Sequence, residues 1–183
     1  MKENLNVAGA IPEKVYGVKK GNIPGTTVGS PDEYAELVEK KVEEVYDRHN
    51  ERVNIIGHSM GGLDSRWYIE QNGGEKYVDT LVTLATPHHG TLTSRFASLT
   101  PGGKKLAMSS DVIQTLKNDG LSDEVEYVAL WSPRDRAVNP SRSAKLPDDY
   151  RTNVTNIEIG SYSHLEMLWK KSVVEKFAPY LRS

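Results

Sequence analysis

Gly57-His58-Ser59-Met60-Gly61 sets a serine between two glycines in a G-x-S-x-G pattern. At ordinary Gly and Ser frequencies a chain of this size shows that pattern by chance in roughly one case in twenty, so its surroundings decide its meaning. It directly follows the β-branched run Val53-Asn54-Ile55-Ile56 and directly precedes a stretch in which Leu63, Trp67 and Tyr68 keep helical spacing. A chain that turns this sharply from strand to helix strains the backbone of the central serine and needs small residues on either side, because strand and helix approach closely. Gly57 and Gly61 supply them, with Gly62 behind. The helix that starts here points unpaired N–H groups at the serine, and the Met60 N–H is the candidate donor to an oxyanion formed on a bound carbonyl.

A serine hydroxyl attacks a carbonyl only when a base removes its proton, and the base needs a carboxylate to orient it. Of the five histidines only His164 lies far downstream of Ser59, in Ser161-Tyr162-Ser163-His164, between the last expected strand and the last expected helix. The matching carboxylate is Asp135, in Ser132-Pro133-Arg134-Asp135 directly after the apolar run Val128-Ala129-Leu130-Trp131; Asp111 and Asp123 precede that run and are less well placed. His58 adjoins the nucleophile but points away from it in such a turn. His88 and His89, in Thr86-Pro87-His88-His89-Gly90, follow a strand at the same edge and are candidates to line a substrate pocket with His58. His49 ends an amphipathic helix, where an imidazole suits the helix dipole. No H-E-x-x-H or paired-carboxylate spacing accompanies these histidines, so neither a metal nor another cofactor is expected.

The elements that must position this chemistry follow from periodicity. Ser30-Pro31-Asp32-Glu33 is a capping box with proline at the first helical position, and Tyr34, Leu37, Val38, Val42, Val45 and Tyr46 carry a helix to about Asn50. Runs at Val15–Val18, Val53–Ile56, Val78–Ala85, Val125–Trp131 and Val154–Ile159 read as strands, and Lys104–Lys117 and Leu165–Leu181 as helices. Strands alternating with helices predict an α/β fold with a mostly parallel sheet flanked by helices. The 183 residues predict a single domain spanning 1–183. Lys and Arg number 23 against 25 Asp and Glu, leaving no basic stripe for nucleic acid. No cysteine is present, which removes disulfides, thiolate metal sites and cysteine nucleophiles. No run approaches the length of a membrane-spanning helix, so no stable membrane insertion is expected, and Met1–Asn6 lacks the apolar core of a signal peptide; no cellular address is legible.

Taken together, Val53 to Leu63, Leu81-Val82-Thr83-Leu84-Ala85-Thr86-Pro87-His88-His89-Gly90, Trp131-Ser132-Pro133-Arg134-Asp135 and Ser163-His164 resemble the small bacterial lipases and esterases of the α/β-hydrolase superfamily, members of which are often secreted. The resemblance implies nucleophile Ser59, acid Asp135, base His164, an acyl-enzyme, and a small ester or lipid as substrate. It leaves open a thioesterase, amidase or acyltransferase built on the same triad, and a catalytically impaired module used for binding. It also implies a strand before Val15 that ends in a His-Gly loop and supplies a second oxyanion donor, for which no matching residues stand here. An N-terminally short hydrolase fold is therefore expected, with the sheet closing the gap, rebuilding a strand from Leu5–Ile11, or borrowing one from a second copy in a homodimer. One donor fewer predicts a weak esterase. Only Thr91–Asn118 intervenes where a lid would be, so a site open to soluble or short-chain esters is expected.

Overall fold

A computed structural model describes residues 12–18, 29–92, 104–147 and 152–181. Helix α1, Pro31–His49, begins as its capping box dictates: the Glu33 carboxylate accepts from the Ser30 backbone N–H at 2.9 Å while the Ser30 side chain accepts from the third helical residue. It ends where Asn50 turns left-handed at φ 53°. Its buried stripe is Ala35, Val38 and Val42, with Glu36, Lys40 and Glu44 facing solvent. That stripe packs on α2, Met60–Gln71, which follows strand β1, Val53–His58.

Strand β1 pairs in parallel with β2, Val78–Leu84; β2 pairs with β3, Glu126–Trp131; and β3 pairs with β4, Val154–Glu158. Ile55 faces Leu81, Leu81 faces Tyr127, and Tyr127 faces Val154, so one register runs across all four strands. The period of two sorts side chains to two cores. Leu81, Tyr127 and Ala129 join Ala35, Val38, Val42 and Ile69 of α1 and α2 on one face. Val82, Leu84, Val128 and Leu130 join Met167, Val173, Val174 and Phe177 on the other. Covered on both faces, β2 and β3 are buried almost continuously instead of at every second residue, as parallel strands are, with Thr80 and Thr83 among the buried side chains of β2.

Three expectations change. Val15–Val18 is not a strand: after a 3₁₀ turn at Pro12–Lys14 it runs as irregular chain. A run this short forms a strand only where a neighbour supplies a ladder. Here Val15 packs against the core on the Val173 and Phe177 face of the sheet and the Tyr16 hydroxyl lies 2.8 Å from His49 Nε2. Among the described residues β1 pairs on one side only, with β2; Leu5–Ile11, one of the three ways the gap could be met, lies outside the described residues. The helix expected over Lys104–Lys117 starts at Asp111 and runs to Asn118 as α3, because the Ser110 hydroxyl donates to the Lys105 carbonyl at 2.6 Å and accepts from the Ile113 N–H at 3.3 Å, which ends one turn and caps the next. The Leu165–Leu181 segment divides into a 3₁₀ turn Glu166–Leu168, helix α4 at Lys171–Phe177 and a 3₁₀ turn Ala178–Tyr180. Lys170 is extended at ψ 122° and breaks it, and Pro179 brings no N–H to its last turn.

Candidate active site

Ser59 sits at φ 55° and ψ −128°, a conformation rare for any residue with a side chain. The turn is held from both ends: the Ser59 N–H continues the sheet by donating to Leu84 O at 2.9 Å, and Ser59 O accepts from the Gly62 N–H at 3.1 Å. A β-carbon on Gly57 would lie 2.7 Å from the Gly62 α-carbon, and one on Gly62 would lie 2.1 Å from Thr86 Oγ1. Gly62, which stood behind the motif in the sequence, is thus required by the side chain that follows β2. Gly62→Ala is expected to cost about 1–3 kcal/mol of stability through overpacking. Thr86→Ala in the same chain should restore part of that, and urea unfolding of the single and double variants measures the coupling.

On the neighbouring strands, β3 leads into the turn that carries Asp135 and β4 into the loop that carries His164. Asp135 is 5% exposed. Its Oδ1 accepts from the Ala137 N–H at 2.8 Å and the Val138 N–H at 3.3 Å, and its Oδ2 lies 2.8 Å from His164 Nδ1. The carboxylate therefore fixes Nδ1 as the imidazole nitrogen that carries the proton, which makes Nε2 the one with the basic lone pair. Ser132 stitches the two loops together: its hydroxyl donates to Gly160 O at 2.6 Å and accepts from the Arg134 and Tyr162 N–H groups at 3.2 and 3.1 Å. Behind His164, the Glu166 carboxylate accepts from the Ser163 hydroxyl and N–H at 2.6 and 2.8 Å, which holds its pKa below the ordinary carboxylate range and fastens the turn.

His58 links the two halves. Its Nε2 lies 2.9 Å from the His164 carbonyl and the two rings are 4.6 Å apart, so the residue next to Ser59 supports the imidazole loop. As a neutral ring it donates an N–H to that carbonyl. Burial and the neighbouring His164 ring push its pKa down to about 4. Folding therefore favours the neutral form of His58, whereas an unfolded chain protonates it near the ordinary value of ~6.5. Its contribution is fully present above about pH 6.5 and is lost as pH falls towards about 4, so the protein should lose on the order of 2–3 kcal/mol across that window. His58→Asn, which keeps an N–H donor and removes the titration, should flatten the dependence when urea midpoints are compared at pH 4 and 7.

The structure corrects the pocket role expected of His88. It is 1% exposed, its Nε2 lies 3.0 Å from Thr83 Oγ1, and its Nδ1 faces Arg66 at 3.5 Å. Burial and the Arg66 cation keep it neutral. Arg66 is itself buried, forms a two-pronged pair with Glu70 at 2.8 Å on each prong, and donates to Leu116 O at 2.9 Å. The cluster ties α2 to the loop after β2 and to the end of α3. A sequence signal existed: an Arg and a Glu four residues apart within a largely buried helix. His89 is half-buried, and its N–H donates to Ser143 O at 3.3 Å. Neither lines the cavity of about 410 Å³ beside His164, whose walls are Arg134, Arg136, Ala137, Ser163, His164 and Leu165. The Met60 N–H, at the first position of α2, has no acceptor among the described residues.

A parallel sheet with helices on both faces and a serine in a strained turn between strand and helix is the α/β-hydrolase architecture. The chain belongs to the family of the PGAP1-like alpha/beta domain, whose model matches residues 21–129. It is 43% identical over 177 residues to triacylglycerol lipase 2 of Saccharomyces cerevisiae, covering 79% of this chain and 54% of that protein. It is 25% identical over 138 residues to the triacylglycerol lipase of Pseudarthrobacter phenanthrenivorans, covering 68% and 43%. The chain thus spans about half the length of these relatives. Its fold is shared with the mature form of Bacillus licheniformis lipase BlEst2, at TM-score 0.71, 18% identity and coverage of 86% and 76%. Aspergillus fumigatus lipase B matches at TM-score 0.69 and 24% identity, covering 81% of this chain and 41% of that one. These are lipase- and esterase-type α/β hydrolases, and the expectation of that superfamily and of its parallel sheet stands.

Proposed function

We propose that the protein hydrolyses carboxylic esters by acyl transfer through Ser59. His164 Nε2 takes the Ser59 proton as Oγ attacks the carbonyl carbon; the electron pair of the carbonyl moves to oxygen, where the Met60 N–H and the start of α2 stabilise it. The tetrahedral adduct collapses, His164 returns the proton to the leaving alkoxide, and the acyl group stays on Ser59. Water then attacks the acyl-enzyme with His164 again as base, releasing the acid. Asp135 keeps Nδ1 protonated throughout and favours the imidazolium formed in each step. The names of the relatives, triacylglycerol lipases of a yeast and a bacterium, support esters of glycerol as the substrate class.

The observation that carries this reading is the pairing of Asp135 Oδ2 with His164 Nδ1 on a loop braced by His58, the residue adjoining Ser59 in its strained turn. A fluorophosphonate should label Ser59 stoichiometrically, and p-nitrophenyl butyrate should be turned over in preference to the matching anilide; a panel that includes thioesters separates hydrolysis of other acyl groups. Absence of labelling in folded protein would favour a silent binding module.

A further inference from the structure

The two arginines on either side of Asp135 have no part in the chemistry above. Asp135 turns its carboxylate inward, to His164 and to the Ala137 and Val138 amides, and this leaves Arg134 and Arg136 exposed on the opposite side, where both line the cavity beside His164. Neither guanidinium has a hydrogen bond or ion pair among the described residues. The carboxylates facing this wall are accounted for. Asp135 is engaged as described; Glu166, close enough to Arg134 to feel its charge, is tied to Ser163 and is not part of the cavity wall. Leu165, 56% exposed, and Ala137 give the cavity an apolar margin.

His164 is one wall of this cavity, and in acyl transfer the imidazole protonates the leaving alcohol, so of the two halves of an ester the alcohol is the one brought next to His164. We propose that Arg134 and Arg136 form an anion subsite for the leaving alcohol, and that the preferred substrates are esters whose alcohol carries a phosphate, as in a glycerol phosphate. Two forked guanidinium groups with a full set of free donors match phosphate oxygens in geometry as well as charge. This rests on the ester-hydrolase reading of Ser59 and deepens it.

The test uses short-chain esters that remain monomeric in solution, so that attraction to a charged lipid surface contributes nothing. Butyryl glycerol phosphate should exceed butyryl glycerol in kcat/KM by about tenfold or more at low salt, the scale of one or two charge-assisted hydrogen bonds. The ratio should fall towards one in Arg134→Gln/Arg136→Gln, return in part in Arg134→Lys/Arg136→Lys, and fall in the wild type at high salt, which needs no variant to fold. The two butyryl esters give the same acyl-enzyme, so the preference must appear before deacylation. A ratio near one in the wild type, a ratio that survives the double variant, a preference found only with anionic vesicles, or an equal preference for an anion on the acyl chain would each overturn the proposal. Binding of free glycerol phosphate to Ser59→Ala protein, measured by calorimetry against glycerol, reads the subsite without turnover. Selective binding in a chain that hydrolyses no ester would leave the subsite standing and remove the hydrolase reading; no selective binding would remove the subsite alone.

Discussion

Ser59→Ala is expected to remove ester turnover by about a millionfold, down to what binding and the oxyanion donor supply alone, while leaving the fold and its unfolding midpoint as they are. Both halves come from the same turn. The hydroxyl caps nothing: Ser59 makes no side-chain hydrogen bond at the start of α2, so its removal leaves no buried partner unsatisfied. The strain at φ 55° belongs to the backbone, which is pinned by Leu84 O on one side and the Gly62 N–H on the other, and alanine bears that strain as serine does. The measurement is kcat/KM on a chromogenic butyrate together with urea unfolding. Loss of turnover with loss of the fold would indicate a structural serine; wild-type turnover would end the assignment of Ser59 as nucleophile.

The site divides into parts legible in the sequence and parts that were not. Ser59, Asp135 and His164 each follow a strand whose apolar run is visible in the sequence, and in a parallel sheet consecutive strands deliver their following loops to one edge. That is why residues 76 and 29 positions apart could be grouped before any contact was known. The parts that escaped depend on contacts between loops. Nothing in Trp131-Ser132-Pro133 announces that the Ser132 hydroxyl bridges to Gly160 and Tyr162, because a serine after a strand has the same pattern whether it bridges or faces water. His88 looked like a pocket residue because histidine is usually exposed; its burial depends on Arg66, 22 residues earlier, and on Thr83. Val15–Val18 had strand composition, and composition cannot say whether a partner strand is there to receive it. The helix boundaries moved for a local reason that periodicity does not resolve: Ser110 and Lys170 interrupt patterns whose apolar spacing continues through them.

Asp135→Asn should lower kcat by about ten-thousandfold, and the loop decides why so small a change costs so much. In the native carboxylate both oxygens accept: Oδ1 from the Ala137 and Val138 N–H groups, Oδ2 from His164 Nδ1. An asparagine has one accepting oxygen and one donating NH₂. With its oxygen turned to the two backbone amides, the more heavily bonded position, its NH₂ faces His164 Nδ1. That nitrogen must then accept, which moves the ring proton to Nε2, where it blocks removal of the Ser59 proton. The opposite orientation keeps the correct tautomer but sets an NH₂ against two buried N–H donors, a loss on the order of 2–6 kcal/mol at one unsatisfied group or two. The amides of Ala137 and Val138 thus select the inactive tautomer. Asp135→Ala imposes no tautomer and should be the less damaged of the two. His164→Ala combined with either should be barely worse than His164→Ala alone, since the two residues act as one unit. The ordering Asn below Ala, measured as kcat on a butyrate ester with fluorophosphonate labelling as a check that Ser59 remains accessible, is the discriminating result. Retention of more than about a tenth of wild-type turnover in Asp135→Asn would show that the carboxylate does not set the tautomer of the working base.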